Sequence, residues 1–267
     1  MALFGGKSPA ELTLTEAIRI GFKMVTQRNF MIPILVIGAI LNVIVIVALV
    51  PIFVGIVVPS SGDSPLRGLA IVSGILGAVI TAIVGGILLN LYGQVWATMA
   101  SVGEAPTMQA TFTRLGGRWM SILGAGLIAG LLTVAIILVG GIVGALLGTL
   151  GVLVILAAVV VGIYVGARLS LAGWLAADGA AAMEAVQTSW AMTQGRLLLI
   201  VGWGLAFAVV FGIVGSIIGA VLGFIPLVGE ALTRAIVSAF GFGAGVSLYR
   251  KIRPPEAPSV PSLGPEE

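Results

Sequence analysis

The stretch Glu184–Arg196, EAVQTSWAMTQGR, is out of character with its surroundings. It mixes Glu, Gln, Thr, Ser and Arg with Trp and Met, in a chain of 267 residues that is 59% hydrophobic and 9% charged. A soluble domain carries about 25% charged residues. With a mean hydropathy of +1.22, this chain cannot cover itself with polar groups in water, and the bilayer is the solvent that fits. The runs flanking the stretch, Leu150–Trp174 and Leu197–Phe224, are each long enough to cross a hydrocarbon core, which takes about 20 apolar residues. The stretch therefore reads as a polar segment lying on a membrane surface between two spans.

Four further runs of spanning length lie at Met31–Val58, Leu69–Ala100, Met120–Leu147 and Ala231–Tyr249, making six. Several exceed the minimum, so tilt or extension beyond the hydrocarbon is expected. Pro33 and Pro51 are expected to kink or end the first run. Between the third and fourth, the uncharged GGIVGALLGTLG (Gly140–Gly151) places a tight turn near Gly148–Gly151. The N-terminal thirty residues hold no long apolar core followed by a small-residue cleavage site, so they do not read as a secretory signal, and the first run is expected to stay as an anchor.

Basic residues orient the spans. With six spans, Lys7, Arg19, Lys23, Arg28, Arg114, Arg118, Arg168, Arg196, Arg250, Lys251 and Arg253 fall on one side, and only Arg67 and Arg234 on the other. Eleven against two predicts that both termini are cytoplasmic. The net charge of +3, with basic residues at the ends of apolar runs, suits an anionic leaflet rather than nucleic acid.

The opening stretch also recurs. LTEAIRIGFKMVTQRNFMIPIL, TMQATFTRLGGRWMSIL and AMEAVQTSWAMTQGRLLLI each precede an odd-numbered span. Aligned on Ala17, Ala110 and Ala185, they place Phe22, Leu115 and Trp190 five residues later and close on Arg28, Arg118 and Arg196. Each reads as an amphipathic interfacial helix. The expected apolar faces are Leu14, Ile18, Phe22 and Val25, opposite Glu16, Arg19, Lys23 and Gln27; then Met108, Phe112, Leu115 and Trp119; then Met183, Val186, Trp190 and Leu197. Ser8-Pro9 is the expected start of the first. Tyr92, Tyr164 and Tyr249 fall near the cytoplasmic ends of the even-numbered spans, where a ring sits in the apolar zone and a hydroxyl in the headgroups.

The expected fold is thus all-α and integral to the membrane: six spans as three hairpins, each preceded by a cytoplasmic interfacial helix, in a threefold pseudo-repeat. One membrane domain is expected over 1–253, with repeats at about 10–100, 105–175 and 180–250, and a disordered Pro-rich tail over 254–267.

Two stretches resemble a known family. In Tyr164–Gly204, an Arg at a span end (Arg168) is followed by an acid (Asp178), then Ala185, Ser189-Trp190 and Thr193-x-Gly195-Arg196. In Ile225–Glu256, Pro226 begins the last hairpin and Tyr249 leads into Arg250-x-x-Arg253. This pattern resembles the glycerophosphoryl diester phosphodiesterase membrane-domain-like group of six-span bacterial proteins, close to the YciC-like proteins. The resemblance covers roughly the last hundred residues, and the N-terminal LTEAIRIGFKMVTQRN fits the usual opening. It implies a bacterial inner-membrane protein carrying the membrane half only. The catalytic barrel of some members uses His at a metal site, and this chain has no His and no room for a barrel.

No Cys and no His leave no thiol chemistry and remove the usual general bases and metal ligands. No enzyme activity, cofactor or metal is expected. GGKS (Gly5–Ser8) lacks the upstream glycine and strand of a phosphate loop. Seven Gly pairs spaced i,i+4 are close to chance for 39 glycines, but so many glycines predict close helix packing. The candidate structural or lipid-contacting residues are Arg168, Asp178, Glu184, Ser189, Trp190, Thr193, Gly195 and Arg196. Arg168 reads either as an anchor for a lipid phosphate, Asp178 or Glu184, pinning the third interfacial helix to the fourth span, or as a side chain snorkelling to the interface. Asp178, Glu184 and Glu104 are expected to pair with neighbouring Arg. Asn42, Asn90 and Gln94 are the candidate polar residues within spans. They would line a solute path only if they shared a polar cavity; amides bonded to one another or facing lipid argue for structural bonding instead.

These features point to a non-enzymatic polytopic protein that organises lipids or serves as an accessory or scaffold subunit, with a transporter or channel for a small or lipidic solute as the alternative. Membrane lipids and other membrane-protein subunits are the expected partners, and nucleic acid is not.

Overall fold

The computed structural model describes residues 13–57, 65–222, 224–225 and 228–253. The Ser8-Pro9 start, Lys7, the GGKS segment, Pro226 and the tail over 254–267 lie outside them. Among the described residues every regular element is helical: α1 (Leu14–Thr26), α2 (Arg28–Val57), α3 (Pro65–Ser101), α4 (Met108–Leu146), α5 (Gly151–Leu169), α6 (Ala172–Asp178), α7 (Ala182–Met192), α8 (Leu197–Leu222) and α9 (Val228–Ile252). Six helices are long and apolar enough to cross a membrane, the dimensions of a multi-pass membrane protein. A short 3₁₀ turn at Gly148–Leu150 separates α4 from α5, with Gly148 at φ +59°, in the expected place. The 39 residues of α4 span about 58 Å at 1.5 Å per residue. That is roughly twice a hydrocarbon core of about 30 Å.

The interfacial helices differ from expectation. The first and third are separate elements. α1 starts at Thr13, whose Oγ1 accepts from Glu16 N–H at 3.3 Å, and it ends where Gln27 turns extended. α7 ends in a turn with Gly195 at φ +74°, a conformation that suits glycine. The second is not separate: Met108–Leu146 is one unbroken helix. Gly116 and Gly117 stay helical, and with no extended or left-handed residue the chain has nowhere to turn. α6 is a further short helix, between the fourth span and α7.

The packed face of α1 also differs. Ala17, Ile20, Gly21 and Met24 are buried, together with Glu16, whereas Phe22 is exposed. Small residues explain the choice. A Cβ on Gly243 of α9 would meet Gly21 N at 2.9 Å, and a Cβ on Gly21 would meet the Phe240 ring at 2.5 Å. The α1 and α9 backbones thus touch directly, an approach only small residues allow. α9 is the central helix: its span is 56% buried, against 11% for the spans within α3, α4 and α8. Its Gly245 lies against Trp174 of α6, where a Cβ would come within 2.3 Å of the indole.

Pro33 and Pro51 lie inside α2 without ending it. Proline has no N–H, so the Asn29 carbonyl loses its i+4 donor. The Tyr92 hydroxyl of α3 replaces it, donating to Asn29 O at 2.5 Å, as neighbouring helices do for prolines in membrane spans. Tyr92 is fully buried, and so is Tyr249, whose hydroxyl donates to Asp178. The expected exposure of these two hydroxyls to headgroups is therefore corrected, since both are bonded inside the protein; Tyr164 alone of the three is exposed. Tyr92→Phe is expected to destabilise the protein by about 1–3 kcal/mol, the cost of an unsatisfied buried acceptor. Much of that loss should disappear in a Pro33→Ala background, where the substituted residue supplies the missing N–H. Equal losses in both backgrounds, measured by thermal unfolding in detergent, would refute the coupling.

Candidate functional site

The helix ends meet in one polar layer, and the bonds that gather them define the site. Arg168 closes α5. Its Nη1 donates to the Trp190 carbonyl of α7 at 3.0 Å and its Nε to the Tyr164 hydroxyl at 3.1 Å. The guanidinium carbon lies 4.9 Å from the Trp190 ring centroid and 5.4 Å from that of Tyr164, within cation–π range. The last carbonyls of a helix lack intrahelical donors. The Arg168 carbonyl is served by α7: Ser189 Oγ donates to it at 2.8 Å, and Thr193 Oγ1 lies 3.2 Å away. Ser189 and Thr193 are fully buried. Side chain and main chain of Arg168 thus clasp α7 onto α5.

This clasp is one of the expected arrangements for Arg168 with different partners. Neither Asp178 nor Glu184 is bonded to it. Glu184 sits in the first turn of α7, where its Oε2 accepts from Ala181 N–H at 3.4 Å, a favourable place for an acid at a helix N-terminus. Gly195 forms the turn into α8. Arg196 then reaches across to the end of α9, its Nη1 donating to Ile252 O at 2.9 Å.

Asp178, at the end of α6, is the hub of a second group. It accepts from the Tyr249 hydroxyl at 2.7 Å and from Arg253 Nη1, and Arg250 Nη1 lies 3.5 Å away. Arg250 Nε donates to Ser101 Oγ at the end of α3. Arg118 of α4 donates through Nη1 to the Ala177 carbonyl beside Asp178, at 2.8 Å. One carboxylate thus ties together the ends of α6 and α9, and through Arg250 the end of α3, while Arg118 adds α4. Arg250 and Arg253 were legible as topology markers and as the close of the family-like pattern; their convergence on Asp178, 72 and 75 positions away, was not. Glu104 pairs with Arg114 at 2.9 Å, as expected.

The intramembrane amides separate. Asn42 is buried in α2. Asn90 and Gln94, one turn apart on α3, bond to each other, Gln94 Nε2 donating to Asn90 Oδ1 at 2.7 Å. Both line a groove of about 410 Å³ between α3, α4 and α6 whose other lining residues are apolar or glycine. Asn42 is not among them. A bonded pair in an apolar groove is the arrangement that argues against a shared polar path. Among the described residues no group of His, Cys, Asp or Glu is placed to hold a metal ion.

Arg168→Ala should cost about 2–3 kcal/mol, from hydrogen bonds by a charged group and the stacked rings. Arg168→Lys should recover little of it, because an ammonium cannot lie flat between two rings and reach both acceptors. Amide exchange across α7 provides the readout: the alanine variant should raise it within 182–192, and unchanged exchange would rule out the clasp.

No family model, no curated protein and no solved structure matches this chain.

Proposed function

We propose that this chain is a non-enzymatic multi-pass protein that gathers anionic lipid at one membrane face, as an accessory or scaffold component of the membrane. The observation that carries the reading is the placement of charge. Arg250 and Arg253, at the end of α9, pair with Asp178, and Arg118 of α4 holds the neighbouring Ala177 carbonyl. Arg168 and Arg196, at the end of α5 and just before α8, donate to the Trp190 and Ile252 carbonyls, so five guanidinium groups gather where one carboxylate, Asp178, is bonded. An excess of guanidinium groups at headgroup depth attracts anionic lipid. The spans themselves carry little polar chemistry, which favours this reading over a solute path.

In this proposal the polar layer faces the cytoplasm of a bacterial inner membrane and both termini lie on that side, as the asymmetry of basic residues supports. The three-hairpin plan is supported by the extensive packing of α2 on α3, α4 on α5 and α8 on α9. We also place the chain with the membrane half of the six-span group it resembles.

Native mass spectrometry after gentle extraction from its own membrane tests the function. Retained phospholipid, enriched in anionic species and without a stoichiometric protein, is the expected result. A stoichiometric protein partner with no retained lipid would overturn lipid gathering and make the chain an assembly subunit.

A further inference from the structure

The groove between α3, α4 and α6 has three properties that belong together. It lies on membrane-spanning helices, and its depth comes partly from absent side chains at Gly86, Gly126 and Gly173. Its volume, about 410 Å³, is within the range of small-molecule sites, about 300–1,000 Å³. Its polar wall is the Asn90–Gln94 pair. Gln94 Oε1 is turned against Gly173 and has no partner. The Asn90 Oδ1 acceptor is taken by Gln94, while the Asn90 amino group has no partner among the described residues. Asn90 is exposed on the groove wall, and an amide N–H left open to hydrocarbon is costly unless it finds an acceptor.

The cation next along α4 from this groove is Arg118, which is not one of its lining residues and rests against Ala177 and Gly179. Ile122 and Gly126 line the groove from α4, and Arg118 lies on the same side of that helix, one turn before Ile122. Arg118 bonds the Ala177 carbonyl, one turn along α6 from Gly173, which lies against Gln94. One turn is about 5.4 Å, so the guanidinium sits one to two turns from the amide pair, toward the polar layer. The bond to Ala177 uses one of the five N–H donors of Arg118, and the side chain is only half-buried.

The geometry points to a site for one anionic phospholipid: an acyl chain in the groove, its ester carbonyl accepting from Asn90, its phosphate at Arg118. This inference rests on the lipid-gathering reading and deepens it, by naming one discrete site beside a diffuse basic layer. Apolar complementarity selects a chain, the amide selects an acceptor near its head, and the guanidinium selects negative charge. Gly126 is where the site can be closed without disturbing the fold, because nothing lies within 4 Å of a Cβ there; the same is true of Gly86.

The test uses the purified full chain in detergent, with phosphatidylglycerol or phosphatidylcholine added and retention read by native mass spectrometry. One phosphatidylglycerol per chain should survive activation that strips the rest, and phosphatidylcholine should be retained at least tenfold less. Gly126→Leu should lower phosphatidylglycerol retention at least tenfold with an unchanged melting temperature, and Gly86→Leu should do the same should the first variant melt early. Arg118→Gln should bring the two lipids to parity. Wild-type retention in both filled variants, or equal retention of the two lipids by the wild type, would overturn the site. The two ideas fail separately. Filled variants that keep the activation-resistant phosphatidylglycerol remove the groove, and enriched anionic lipid in the native extract then still leaves the basic layer. A native extract holding a protein and no lipid removes the lipid-gathering role, even if the purified chain still loads the groove.

Discussion

Asp178→Asn is expected to lower the stability of the protein in detergent by about 3–5 kcal/mol, the range for removing one partner of a buried ion pair. The side chain of Asp178 is 11% exposed, and those of Arg250 and Arg253 are 10% and 15% exposed. Asparagine keeps the shape and can still accept from Tyr249, so the loss isolates the charge. Two guanidinium groups would remain beside each other without their counter-ion, and each would be held by the helix ends it now anchors. The comparison variant is Glu230→Gln. Its partner Arg234 lies one turn along α9, and both side chains are more than half exposed, so the change should cost about 0.3–0.5 kcal/mol. Thermal melts of the two variants side by side check this. Similar small losses would show that the Asp178 group is solvated and contributes little to joining α3, α6 and α9.

Gly243→Leu should release α1 from the bundle. A Cβ at 243 would lie 2.9 Å from Gly21 N and 3.0 Å from Gly21 Cα, and these are backbone atoms that cannot swing aside. Overpacking of this kind costs about 1–3 kcal/mol when side chains can adjust and more when they cannot. Here the economical response is for α1 to lift off α9, exposing Ala17, Ile20 and Met24, which are fully buried. Limited proteolysis should then cut within 14–26, where the wild type resists. Gly241→Leu, on the same helix with nothing within 4 Å of its Cβ, should leave the pattern unchanged. Resistance of the Gly243 variant would mean that α1 is held by something other than this crossing.

These two sites differ in how far they could be read in advance. The acid and the basic residues around it were visible individually: Asp178 within the family-like pattern, Arg250 and Arg253 at its close, Arg118 at the head of a span. Nothing local says that they meet, because the ends of α3, α6 and α9 come together only when the bundle is assembled. The Gly21–Gly243 contact was less legible still, since 39 glycines make any spacing unremarkable. The Arg168 clasp lies between: a link from the fourth span to the third interfacial helix was one of two readings of Arg168, the other a side chain snorkelling to the interface, and the link was drawn through carboxylates or a lipid phosphate. The bonds actually run to a main-chain carbonyl, two aromatic rings and two hydroxyls.

What the amino-acid sequence determined by itself is the number of spans and their approximate limits, the turn at Gly148–Leu150, and the separation of α1 and α7 from the spans that follow them. These depend on whether a segment partitions into hydrocarbon and on where a glycine or an extended residue breaks a helix, both properties of short stretches. What only the tertiary structure decided is which face each helix buries. In water, an apolar stripe marks the core. In a bilayer the lipid is as apolar as the core, so hydrophobic periodicity no longer separates inside from outside. Burial then follows close backbone approach and polar satisfaction: Ala17 and Gly21 turn inward while Phe22 faces out, and Tyr92 sinks to replace the N–H that Pro33 lacks.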